Sequence, residues 1–172
     1  EGVPIGNYTS QWFANFYLTE FDHYVKEVLK VKYYIRYADD MVLFSNNKRE
    51  LHKTKRIIDE YFKNKLHLTI KDNWQLFKTD SRPIDFLGYR FYRGYTTLRK
   101  SNFLRIKRRI KKIYKKENLN FKDASAVLSY NGWIKHSNSY KFRKLYIKPY
   151  ISFEECKDVI RNESKRRLTD KF

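Results

Sequence analysis

Apolar residues recur along this chain with two different periods, and the switches between them mark out its elements. From Thr9 to about Leu29, Phe13, Phe16, Tyr17, Phe21, Tyr24, Val25, Val28 and Leu29 return at three- and four-residue steps, which predicts a helix with a broad aromatic face buried. Pro4, Gly6 and Asn7 ahead of it predict a loop, and the hydroxyls of Thr9 and Ser10 suit its cap. Val31–Arg36 and Met41–Ser45 are rich in the β-branched and aromatic residues of strands. Asn46 and Asn47 mark a turn, after which Lys48–Lys65 predicts an amphipathic helix with Leu51, Ile58, Tyr61 and Phe62 inward. Leu66–Ile70 and Trp74–Phe77 predict short strands, Arg82-Pro83 a break, and Phe86–Tyr92 a further strand. Two helices on one face of an antiparallel sheet make an α+β unit.

Beyond Leu98 only the helical period remains. Phe103, Ile106, Ile110 and Ile113 stripe a helix from Leu98 to Lys116, and residues 122–130 and 137–146 predict two short helices around Asn131-Gly132-Trp133. Ser152 suits the cap of a last helix from Phe153 to Arg166. The expected division is therefore 1–97, a sheet-and-helix domain, 98–150, a small all-α domain, and 151–172, a helical tail.

Charge follows the same division. Residues 1–97 carry 16 Lys and Arg against 12 Asp and Glu, whereas residues 98–172 carry 22 against 7, and together they give the chain its net +19. From Leu98 to Lys116 stand ten basic residues and no acid. A charge run usually marks a solvated face, but a run this unbalanced calls for a polyanion, with phosphate the obvious counter-charge. With 172 residues and 41% hydrophobic content the chain can bury a core, and 18% aromatics argue against a disordered basic tail. One cysteine, Cys156, excludes an internal disulfide, and four scattered histidines give no zinc spacing. No long apolar run or export signal is present, so a cytoplasmic protein without a membrane partner is expected. The chain opens at Glu1 and its only methionine is Met41, which suggests a natural start upstream.

The chemistry concentrates in Tyr37-Ala38-Asp39-Asp40, two adjacent carboxylates between two apolar strands. A lone pair of this kind is most often a plain turn. Two hard anions on a rigid hairpin also suit a magnesium ion carrying substrate phosphates. Upstream stands Gly2-Val3-Pro4-Ile5-Gly6-Asn7-Tyr8-Thr9-Ser10-Gln11, a loop entering a helix, and downstream stands Phe86-Leu87-Gly88-Tyr89-Arg90-Phe91. In this order and spacing the three segments resemble the fourth block, the catalytic YxDD block and the primer-grip block of bacterial reverse transcriptases.

That resemblance implies the later part of a right-hand polymerase palm followed by a thumb. Asp39 would be the stronger metal ligand and Asp40 its support, for two Mg2+ ions or, as a substitute, Mn2+. A further aspartate would come from a strand before Glu1, so that residues 1–172 alone would be inactive. Ile5, Gly6 and Gln11 would border the nascent base pair, where Gly6 allows close backbone approach, although a loop glycine is an equal alternative. Tyr37 and Ala38 would lie near the incoming nucleotide. Phe86, Leu87, Gly88 and Tyr89 would grip the primer end, against the alternative of a bulged core strand. Arg99, Lys100, Arg105, Lys107, Arg108, Arg109, Lys111 and Lys112 would contact the nucleic-acid backbone, and Ser129–His136 resembles a thumb block of group II intron-type enzymes, with Trp133 in the core.

Ile5-Gly6 followed by Ser10-Gln11 is similar to the pattern of diversity-generating retroelement enzymes, which copy RNA with errors at adenines. One departure cuts the other way, because the lysine expected soon after the second strand is replaced around Asp72-Asn73-Trp74, so that either Lys71 substitutes for it or proton donation to the leaving pyrophosphate comes from elsewhere. The implied partners are an RNA template, a DNA primer and product, dNTPs and an accessory protein, in a bacterial or phage-encoded setting. The alternatives are a defence-type or group II intron-like enzyme, or a non-catalytic RNA-binding module, whose RNP aromatic consensus is absent.

Overall fold

The computed structural model describes residues 6–169. The chain folds as two compact units, dividing between Leu76 and Phe77. The change of charge near Leu98 is thus not a break in packing, because Leu98 is itself buried in the core of the second unit.

In the first unit, α1 (Tyr8–Tyr17) and α2 (Thr19–His23) run into a π-turn over Tyr24–Val28, followed by the hairpin β1 (Tyr33–Tyr37) and β2 (Asp40–Phe44), then α3 (Lys48–Tyr61) and a second π-turn over Phe62–Leu66. Asn7 occupies the N-cap position of α1 without a side-chain capping bond, and Thr9 and Ser10 lie inside the first turn rather than before it. Asn47 caps α3 by accepting from Arg49 N at 2.9 Å. Each π-turn leads to a left-handed residue that is not glycine, Lys30 at φ 53° and His67 at φ 52°. Lys26 Nζ offsets the first of these ends by donating to Val31 O at 3.1 Å and Lys32 O at 3.0 Å.

Phe21, Val25, Ile58, Phe62 and Leu66 form this unit's core, with Phe21 edge-on to Phe62 at 4.6 Å and Tyr24 stacked on Tyr61 at 4.5 Å. Two expectations change here. The aromatic face predicted from Phe13 onward is buried only from Phe21, while Trp12, Phe13 and Phe16 stay 71%, 58% and 69% exposed. The strands expected at 66–70 and 74–77 do not form, because His67 turns the chain and Leu68 N closes onto Phe62 O instead of a ladder. Trp74 then lies beneath Lys55 Nζ at 4.7 Å and edge-on to His52.

The second unit opens with an antiparallel sheet of β3 (Ile84–Phe86), β4 (Tyr89–Phe91) and β5 (Thr96–Leu98) in sequential order. α4 (Lys100–Tyr114), α5 (Phe121–Lys135), α6 (Tyr140–Tyr146) and α7 (Phe153–Thr169) follow. The stripe Ile106, Ile110 and Ile113 packs with Ala124, Val127, Ile134, Phe142, Ile147, Ile151 and Cys156 in one core. Asn120 caps α5 and Ser152 caps α7 as its position suggested. Asn131-Gly132-Trp133 does not separate two helices, since α5 continues through it with packing on both sides outweighing one glycine's helix cost of about 1 kcal/mol. No described helix is long and apolar enough to cross a membrane.

Candidate functional site

The β1–β2 register pairs Tyr37 with Asp40 and leaves Ala38-Asp39 as a two-residue turn. Strand alternation then sorts the side chains. Tyr34, Met41 and Leu43 face the core, whereas Tyr33, Ile35 and Tyr37, 55%, 53% and 63% exposed, share the outer face toward which Asp40 alternates. Ala38 takes φ 51°, a left-handed backbone that its β-carbon opposes. Asp39 projects into solvent, and the ammonium of Lys71 stands 3.7 Å from its Oδ2.

A polar network holds this turn from behind. Arg36 Nε donates to Asp22 Oδ1 at 2.8 Å and Arg36 Nη2 to Asp22 Oδ2 at 2.5 Å, while Nη1 donates to Ala38 O at 3.0 Å and Asn15 Oδ1 at 3.1 Å. Tyr34 Oη donates to Asp22 Oδ1 at 2.7 Å. Burial pushes the Asp22 carboxyl up, but the hydrogen bonds from Arg36 and Tyr34 and the charge of Arg36 outweigh it and hold it below its ordinary value. Burial and the bond to Asp22 push the Tyr34 phenol well up. Nothing in the helical neighbourhood of Asp22 on α2 signals this role. The available signal was Arg36 itself, a charge on the inward side of a strand that must meet an anion.

Among the described residues no three His, Cys, Asp or Glu side chains gather as a metal cage. Asp39 and Asp40 nevertheless fit magnesium, which keeps several waters and takes one or two carboxylates together with substrate phosphates. Both carboxylates are exposed, leaving room for those further ligands.

The other expected site residues are spread over both units. Ile5 lies outside the described residues. Gly6 has φ 103° with open space where a β-carbon would project, and Gln11 is exposed on α1. Phe86–Tyr89 is not a continuous strand. Phe86 pairs with Tyr89 across a two-residue turn, with Leu87 at φ 51° and Gly88 at φ 83°, the double positive φ of a type I′ hairpin. Gly88 O accepts from Arg99 N at 2.9 Å and Asn102 Nδ2 at 3.1 Å, and a β-carbon at Gly88 would stand 2.6 Å from Asn102 Nδ2. The close approach that this glycine allows is taken by α4.

On α4, Ser101, Arg105, Arg108, Arg109 and Lys112 share one open face, with Lys100 and Lys111 also exposed. Four of the basic residues have internal partners, Arg105 against the Trp133 ring among them. Arg99 Nη2 pairs with Asp85 at 2.5 Å, Arg109 Nη2 pairs with Asp123 at 2.6 Å, and Lys107 Nζ sits 4.1 Å over the Tyr146 ring. Asp123 is 1% exposed and also meets Lys116, whose hydrogen bond, against the cost of burial, leads in holding this carboxyl below its ordinary value. The acid that balances Arg109 and Lys116 thus sits on the next helix, outside the basic run itself. Trp133 is half-buried against the core, with the Arg105 guanidinium 5.4 Å from its ring centre.

No curated protein matches the chain. A family model described as reverse transcriptase (RNA-dependent DNA polymerase) matches residues 1–91, a span that holds the loop-helix, the acidic turn and the β3–β4 hairpin. Matched over more than half its length by that model, the chain belongs to the reverse transcriptase family.

Proposed function

We propose that this chain carries the acidic turn and the product-binding helix of an enzyme that extends a DNA primer on an RNA template. The observation that carries it is the outward hairpin with Asp39 and Asp40 at its tip and Lys71 beside them. Asp39 and Asp40 would hold magnesium, which when bound draws the primer hydroxyl and the nucleotide phosphates together and offsets their charge. The remaining work falls to the chain's own groups. Tyr37, exposed beside the doublet, offers a flat surface against the incoming nucleotide. Lys71 balances the anionic turn and is placed to give a proton to the departing pyrophosphate. The β3–β4 turn presents its exposed Leu87 to the primer end, and Lys100, Arg105, Arg108, Lys111 and Lys112 form a cationic face for product phosphates. Arg99, Lys107 and Arg109 would reach phosphates only with the part of each side chain that its internal partner leaves free.

The test is primer extension by the full-length enzyme on an RNA template with dNTPs. Synthesis that requires Mg2+ and stops with EDTA is expected, and metal-independent synthesis would contradict the reading. Ile5 before Gly6, with Gln11 after Ser10, favours the error-prone retroelement class among such enzymes. An aliphatic side chain cannot donate the amide hydrogen bond that Gln offers, which loosens discrimination at the template base. Ile5→Gln should then lower misincorporation opposite adenine, and equal error rates in the two proteins would set this class aside.

A further inference from the structure

The doublet is an unusual place for a rigid site, being a two-residue turn with exposed side chains and an alanine in left-handed backbone. The two hairpin turns that suit such a loop, types I′ and II′, differ by rotation of the central peptide, the one whose carbonyl belongs to Ala38. In II′ only the first central residue has positive φ, whereas in I′ both do. Ala38 is at φ 51° and Asp39 is not among the positive-φ residues, which are the φ signs of a II′ turn. Rotating that peptide would swing φ of Asp39 to the other sign and re-aim its carboxylate. Whatever holds the Ala38 carbonyl therefore decides where Asp39 points.

We propose that Arg36, anchored by Asp22, is the positioning residue of the acidic turn, clamping the Ala38 carbonyl so that Asp39 and Asp40 are fixed for metal binding. This rests on the polymerase reading of the doublet. The clamp joins three elements: Asn15 of α1 and Asp22 of α2 take three edges of the guanidinium's donor fork, and the remaining reach of Nη1 holds Ala38 O at 3.0 Å. Tyr34 Oη fixes the Asp22 carboxylate from β1. The Arg36 side chain is 11% exposed, so water competes little for its bonds to Asp22, which anchor the guanidinium while Nη1 reaches the exposed turn. The planar fork serves an anion and a carbonyl in different directions at once, and an ammonium cannot reproduce both.

The test uses the full-length enzyme and compares wild type, Arg36→Lys, Arg36→Met and Asp39→Asn. Three quantities are measured: the single-turnover rate of nucleotide addition, the apparent dNTP affinity, and Mn2+ affinity from water-proton relaxation without substrate. Arg36→Lys should slow addition by roughly tenfold or more, as misplacement of reacting groups does. It should weaken Mn2+ binding by about threefold or more and leave dNTP affinity within about twofold. If Arg36→Met fails to fold, Arg36→Lys and Asp22→Asn decide. A folded Arg36→Lys with wild-type rate and Mn2+ affinity overturns the clamp, and so does one that only melts earlier. An inactive Asp39→Asn beside a fully active Arg36→Lys overturns the clamp alone. A fully active Asp39→Asn overturns the polymerase reading and the clamp with it.

Discussion

In residues 6–76 the anchoring aspartate, Asp22, is about one-third exposed and grips an arginine that reaches on to a turn, whereas in residues 77–169 the anchoring aspartate, Asp123, is 1% exposed and grips Arg109 and Lys116. Their surroundings differ in the same direction. The second unit closes one continuous core around α4 to α7, while the first buries five residues and leaves Trp12, Phe13 and Phe16 on its surface. A short hairpin is marginally stable alone. The first unit therefore relies on oriented hydrogen bonds to hold a backbone carbonyl where a core would otherwise fix the chain, and the second uses its ion pairs to close helices over apolar packing. One arrangement aims a site and the other stabilises a fold.

Substitutions ranked by their effect on folding sharpen that contrast. Asp123→Ala strips two basic groups of a buried partner and should cost about 3 kcal/mol, seen as a lower melting temperature of the second unit, with the metal requirement of synthesis unchanged. Its acid dependence has a definite sign. Because the folded Asp123 carboxyl lies below its ordinary value of 3.8, the unfolded chain binds the proton more readily, so this stabilisation is complete above about pH 5 and is lost as pH falls through the folded value. Acid unfolding followed by circular dichroism should be shallower in this range for Asp123→Ala than for wild type.

Gly88→Ala comes next, at about 2 kcal/mol, because it adds a β-carbon at φ 83° and presses it on Asn102. Pairing it with Asn102→Ala should recover the steric part of the loss but not the backbone part, and full recovery would show that the turn conformation is not strained. Lys71→Ala should matter least for folding, within about 0.5 kcal/mol, since it and its partner are both largely exposed. Its nucleotide-addition rate should still fall by roughly tenfold or more if it donates a proton, and an unchanged rate would remove it from the site.

What the sequence made legible follows from how local each cause is. The YADD hairpin, the α4 stripe and the Ser152 cap depend on neighbours within a few residues, and periodicity exposes them. Four features depend on contacts that periodicity does not register. Phe86–Tyr89 looked like one strand because Leu87 is an ordinary strand residue, and only the pairing of Ile84 with Phe91 forces it into a turn. Leu66–Ile70 has strand composition but finds no ladder. The balance of Arg109 lies 14 residues away at Asp123, and that of Arg36 lies 14 residues back at Asp22. Charges facing inward on a strand or a helix stripe were the readable sign that such partners existed.

The central claim, that the acidic turn performs metal-dependent nucleotide addition, is tested most directly by single-turnover extension of an RNA-templated primer with wild-type and Asp39→Asn full-length enzyme at saturating Mg2+. Loss of a metal-binding carboxylate should slow addition by roughly a thousandfold, equivalent to about 4 kcal/mol of transition-state stabilisation, with the melting temperature unchanged. Equal rates in the two proteins would contradict the account.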